Sequence, residues 1–224
     1  MKNSLLDVLV KPDVFFENIE REKESLRLPA LIILAGAVIA AIHGYIIGGP
    51  VSALMAGAMP SIGTIVLIAA IIGPLIGTFV FWALWSVVIY GVSAIFGGKG
   101  TLGKTLEFVG YGSIPQVIGS LVTLVVAIVY IPRVVVPHIS FNPSDPNSAQ
   151  VLQDATKALM HDPSMMAYTQ IATIISVIFL LWSANIWIFG AKHSRLLTLK
   201  NAVLSVGIPV LVYVVYVVYS MAVM

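Results

Sequence analysis

The chain has 224 residues, of which 59% are hydrophobic and 10% charged, with a mean hydropathy of +1.01 and a net charge of +2. A soluble domain carries about 25% charged residues, so a soluble globular fold is excluded, and a charge balance this near zero gives nucleic acid nothing to bind. The absence of cysteine excludes disulfides, thiolate catalysis and Cys-based metal sites.

Residues 1–27 mix Asp7, Asp13, Glu17, Glu20, Glu22 and Glu24 with Lys2, Lys11, Arg21, Lys23 and Arg27. No short apolar run follows a basic start, so the segment does not read as a signal peptide. Lys11–Arg27 reads as an interfacial amphipathic helix. Pro12 suits its first position, and Val14, Phe15 and Ile19 recur at helical spacing. Two roles stand for it: a membrane-lying helix that presents a docking face, or a short anchor for the first span.

Between Arg27 and Lys99, 71 residues pass without Asp, Glu, Lys or Arg. A transmembrane helix needs ~20 apolar residues, and a charge at mid-bilayer costs ~2.5–3.5 kcal/mol. The gap therefore holds two spans. The first is expected over 28–47, opened by Leu28-Pro29. The second, 61–96, would be about 54 Å long as a helix and is expected to kink at Gly73-Pro74. Splitting it in two is disfavoured, because Gly-Pro is too short a turn inside lipid. Further spans fall at 114–131, 167–190 and 202–223. They leave an inner loop over 97–113 and an outer loop over 132–166. A helix of about 147–160, started by Asp145-Pro146, is expected in the outer loop.

The expected fold is thus an all-α polytopic bundle of five transmembrane helices. Residues 28–224 form its single membrane domain, preceded by the 1–27 segment. With the N-terminus in the cytoplasm, the inner segments hold Lys2, Lys11, Arg21, Lys23, Arg27, Lys99, Lys104, Lys192, Arg195 and Lys200. The outer segments hold only Arg133 and Lys157. This positive-inside bias sets the orientation and puts the C-terminus outside.

Gly98–Thr105 matches the phosphate-loop pattern G-x-x-x-x-G-K-[ST] letter for letter. Its context does not match: a phosphate loop follows a buried strand and needs an acid elsewhere for magnesium. Here a membrane helix precedes it, and Glu107 is the loop's sole acid. Two readings remain. Thr101 caps a short helix over 102–109 whose start, beside Lys99 and Lys104, rests on anionic lipid headgroups; or the segment is a plain turn between spans.

His43, His138, His161 and His193 do not cluster, and no acid lies in a span. A zinc site, an intramembrane protease or another cofactor-dependent enzyme is not expected. Pumps keep ionisable groups in their spans; the polar candidates here are His43, Gln116, Gln170 and Asn185. Small residues are better represented. Gly36, Ala40 and Gly44 stack along the first span, Gly73 and Gly77 along the second, and Gly119 opens a ridge in the third. Such ridges let helices approach closely, within the chain or in a homo-oligomer.

Several motifs fall in a recognisable order: Lys11-Pro12-Asp13-Val14-Phe15-Phe16, Leu28-Pro29, Gly97-Gly98-Lys99-Gly100-Thr101, Tyr111-Gly112-Ser113-Ile114-Pro115, Leu199-Lys200-Asn201-Ala202 and Ile208-Pro209. Placed against five spans, they resemble the Yip family, integral membrane proteins with a Yip-one domain. The resemblance implies a five-helix bundle with a cytoplasmic N-terminus. Eukaryotic relatives are associated with Rab-type GTPases and early secretory traffic. They carry a longer tail before the first span than the 27 residues here. The short form resembles the prokaryotic members, so a prokaryotic cell membrane is the expected location and a Rab-type GTPase is not the expected partner.

The leading expectation is a non-enzymatic membrane protein that organises lipids or protein partners through its cytoplasmic edge. Pro12, Phe15, Phe16, Lys99, Thr101, Lys104 and Glu107 are the candidate surface. The alternative is a small permease or channel with a polar path through His43, Gln116 and Asn185.

Overall fold

The computed structural model describes residues 5–139, 144 and 146–223, with side chains as far as 221. Lys2 and Asp145, which the sequence placed at the inner edge and at the start of the outer helix, lie outside the described residues. The described chain is helical and contains no strand. Two short helices, α1 (Leu5–Val10) and α2 (Pro12–Glu20), precede α3 (Arg27–Ala58) and α4 (Pro60–Ile95). Then come α5 (Leu102–Tyr111), α6 (Ile114–Tyr130), a 3-10 turn at Ile131–Arg133, α7 (Ser148–Met160), α8 (Pro163–Ser194) and α9 (Leu199–Val223).

Among the described residues, five helices are long and apolar enough to cross a membrane: α3, α4, α6 with its 3-10 turn, α8 and α9. Their surfaces carry many exposed Leu, Ile and Val, such as Ile65, Val80 and Leu211, as lipid contact requires. At about 1.5 Å per residue, the 32 residues of α3 reach well beyond ~30 Å of hydrocarbon.

The residues form two compact units, 1–36 with 78–119 and 176–224, and 37–77 with 120–175. The first unit packs α1 and α2 on α5, on the later part of α4 and on the facing parts of α8 and α9. Its core includes Phe16, Ile89, Phe108, Trp187 and Val206. In the second unit, α3 continues through Gly48, Gly49 and Pro50 to Ala58, past the end at 47 expected from the sequence. The reason is local. Gly44 and Gly48 lie against Ala70 of α4, and Ser52 Oγ donates to the Gly63 carbonyl at 2.8 Å. This packing holds the last turns of α3 in place although Pro50 lacks an N–H. α7 lays Ala155 and Leu159 against Leu54. Asp162 caps α8 by accepting from the N–H groups of Ser164 (2.8 Å) and Met165 (3.2 Å).

The two spanning helices that finish in the first unit's polar end, α4 and α8, close the same way. After α4, Gly97 takes φ +81°, its N–H donates to Ala94 and the Gly98 N–H reaches back to the Ser93 carbonyl at 2.8 Å. After α8, Leu196 takes φ +53°, and the Leu197 N–H reaches the Lys192 carbonyl at 2.9 Å. Each is a left-handed closing turn that satisfies carbonyls left over by the helix. At Leu196 a branched side chain holds a conformation that glycine adopts more easily.

Candidate functional site

The polar end of the first unit gathers most of the candidate residues. α2 exists because Pro12 starts it and Phe15, Phe16 and Ile19 fall on one face. That face is buried: Phe15 meets Tyr111 edge-on at 5.1 Å, and Phe16 meets Phe108 at 6.4 Å. The sequence placed Phe15 and Phe16 on an accessible surface; the structure puts both inside, because α5 offers them an aromatic wall. Pro12 remains partly exposed at the helix start.

Asp13, on the flank of α2, ties it to the last turn of α8. Its Oδ1 accepts from Lys192 Nζ at 2.7 Å and meets His193 Nε2 at 2.6 Å. His193 Nδ1 faces Glu20 Oε2 at 3.6 Å, so each ring nitrogen looks at a carboxylate of α2. The Lys192 hydrogen bond, then that of His193, holds the Asp13 carboxyl below the usual carboxylate range.

The glycine loop that imitates a phosphate loop is clamped from α8. Arg195 is 1% exposed. Its Nε donates to Ser93 Oγ at 2.9 Å, Nη1 to the Gly100 carbonyl at 2.6 Å and Nη2 to the Gly98 carbonyl at 3.2 Å. The guanidinium also lies 4.1 Å from the centre of the Tyr90 ring. A phosphate cradle turns N–H groups toward an anion. This loop turns carbonyls toward a cation, while the N–H groups of Gly97, Gly98 and Lys99 donate to Ala94, Ser93 and Arg195. Backbone approach is close enough that a Cβ on Gly98 would stand 2.7 Å from the Ser93 carbonyl oxygen. The N–H groups of Gly97, Gly98 and Lys99 are therefore taken up within the protein rather than turned toward an anion.

Along α5, Thr101 caps the helix by accepting from the Lys104 N–H at 3.1 Å, and its hydroxyl donates to Glu24 at 2.8 Å. Lys104 Nζ donates to the Ile19 carbonyl at 3.1 Å and sits 2.8 Å from Glu107 Oε2. Among the described residues that carboxylate oxygen has no other partner, so the ion pair with Lys104 is what meets its charge. Glu107 Oε1 accepts from the Ser25 N–H at 3.3 Å. Burial pushes the Tyr111 hydroxyl up, with the charges of Glu107 and Glu22 adding to it.

Thr101, Lys104 and Glu107 are thus brought together with the end of α2 and the linker after it, whereas Lys99 stands exposed on the loop. Arg195, Asp13, Lys192, His193 and Glu24 are the members that sequence reading missed as site residues. The cations had been read only as topological signals. His43 belongs to the second unit, where its Nε2 meets the Tyr168 hydroxyl at 2.7 Å. Gln116 and Asn185 belong to the first, Gln116 partly buried and Asn185 exposed on α8. The packing residues divide too. A Cβ on Gly36 would stand 3.1 Å from Val117, one on Gly119 2.7 Å from Phe179, and one on Gly44 would strike the Ala70 carbonyl; Gly73 and Gly77 face open space, and Ala40 is half-buried. Among the described residues no group of three His, Asp or Glu side chains is placed to hold a metal ion.

The Yip1 domain matches residues 6–221. An uncharacterised protein of Methanocaldococcus jannaschii is 32% identical over 124 residues, covering 55% of this chain and 88% of that protein. No solved structure matches.

Proposed function

Because this chain belongs to the Yip1-domain family of integral multi-pass membrane proteins, we propose that it is a non-enzymatic membrane organiser that gathers protein partners or lipids at the polar end of its first unit, with that end in the cytoplasm. One observation carries the reading. The inward-facing charges there are occupied by one another and by backbone carbonyls, Arg195 above all. What remains outside is a fixed surface bearing Glu17, Arg21, Glu22, Lys23, Lys99 and Lys200. Chemistry needs a group held ready for substrate; a binding platform needs rigid support beneath exposed side chains. The permease alternative draws less support, since Asn185 is exposed on α8 and His43 already meets Tyr168.

The test is cross-linking in native membranes, with a photoreactive residue at Lys200 and the partners and co-purifying lipids identified by mass spectrometry. Lys23→Glu combined with Lys99→Glu should remove specific cross-links or lipids while leaving the fold intact. An unchanged profile of proteins and lipids overturns the proposal.

A further inference from the structure

α1 is apolar on both sides. Five of its six residues are Leu or Val, and Asp7 is its one charge. Val8 is fully buried in the first unit's core, yet on the opposite side Leu6 is 69% and Val10 74% exposed; Val14, in the first turn of α2, is 52% exposed. A helix that is apolar all round needs cover on every side. Among the described residues, cover lies on the Val8 side.

The position of α1 and α2 narrows the identity of the other cover. Only Arg21–Leu26 separate α2 from α3, a spanning helix. At no more than about 3.6 Å per residue, that linker keeps the end of α2 within roughly 20 Å of the start of a span. Asp13 fastens α2 to Lys192 and His193 in the last turn of α8, another span. Both attachments hold α2, and α1 packed against it, close to the ends of two spans. The charge pattern then decides how lipid is met. Residues 5–26 carry six acids (Asp7, Asp13, Glu17, Glu20, Glu22, Glu24) against three bases (Lys11, Arg21, Lys23). A net negative segment gains nothing from anionic headgroups, which attract basic segments. We infer that the Leu6, Val10 and Val14 face is a membrane-inserting surface that enters the boundary between headgroups and acyl chains by apolar burial alone, independently of anionic lipid. The inference deepens the reading of this end as an organising platform and names the lipid side of it.

The chain has no cysteine, so single spin labels report without background. The full chain carrying Val10→Cys, and separately Leu6→Cys, is reconstituted in phosphatidylcholine vesicles and in vesicles with added phosphatidylglycerol. Collision with oxygen and with a water-soluble nickel chelate gives each label's depth. The expected result is a label about 5–10 Å below the headgroup level in both vesicle types, with a Glu17→Cys label in water. Three results overturn the inference: labels at 6 and 10 in contact with the chelate, as for a face left to a soluble partner; labels shielded from both reagents, as for a face covered by protein; or insertion only when anionic lipid is present. If the labels lie in water while the Lys200 cross-links persist, insertion is wrong and the platform stands. If the labels insert and the cross-links are indifferent to Lys23→Glu and Lys99→Glu, the reverse holds.

Discussion

The two units use the same apolar alphabet and are held in different ways. Among the described residues, nine of the 11 Lys and Arg lie in the first unit, and the second has Arg133 and Lys157. The first unit closes its polar end with side chains that bridge distant parts of the chain: Arg195 to Ser93 and Gly100, Asp13 to Lys192, Trp187 Nε1 to the Val109 carbonyl at 3.0 Å. The second relies on close backbone approach, with Gly44 and Gly48 against Ala70 and Gly63 against Ala56, and on local caps such as Asp162. Charge at a helix end thus serves as cross-bracing in one unit and chiefly as a cap, at Asp162, in the other. A function resting on the first unit's surface should follow its bracing.

The comparison breaks hardest at Arg195. Arg195→Ala removes three charge-assisted hydrogen bonds from a buried position and leaves the Gly98 and Gly100 carbonyls without their donor. The expected loss is about 3 kcal/mol of stability, read as a lower unfolding midpoint in detergent. Arg195→Lys should recover little, since an ammonium cannot reproduce the fork. A midpoint equal to the parent's would mean that the clamp contributes nothing.

Glycine substitutions test the second unit's reliance on close approach. Gly44→Ala drives a methyl into the Ala70 carbonyl and should cost about 1–3 kcal/mol. Gly77→Ala meets open space and should be neutral, or stabilising by up to about 1 kcal/mol through helix propensity. Thermal unfolding of the two variants side by side checks the contrast. Equal effects would sink it.

The smallest effect is the acid response of α2. The Asp13 carboxyl is held below its ordinary value by Lys192 and His193. A lowered folded value means that its contribution is complete above the unfolded value, about 3.9. It is lost as pH falls through the lower folded value. A spin label at Glu17→Cys should therefore gain mobility only below about pH 4, and adding Asp13→Asn should remove that transition. Because Asp13 is partly exposed, high salt should weaken the effect. A transition already present near neutral pH would assign the attachment of α2 to another group.

Much of this was legible in the sequence. The charge-free run from Leu28 to Gly98 required membrane helices, and the all-α, five-span class followed from counting apolar stretches against bilayer thickness. Helix ends were harder. Gly48-Gly49-Pro50 reads as a terminator, but packing against α4 carries α3 through it. Within the candidate site, Thr101 stood out because an N-cap is a signal local to three or four residues. Phe15 and Phe16 were misplaced because helical spacing, which groups Phe15 with Ile19, does not say what lies opposite.

What the sequence by itself determined is therefore location and class, since a bilayer judges each stretch of about 20 residues by its own hydropathy. What only the tertiary structure decided is what the charged residues do. A lysine or arginine at a helix end satisfies the topology whichever neighbour it meets. Whether Arg195 faces water, lipid or the Gly98 and Gly100 carbonyls depends on segments roughly a hundred residues away in the chain. No local pattern encodes that meeting, because a hydrogen bond is fixed by proximity in space and not by spacing in sequence.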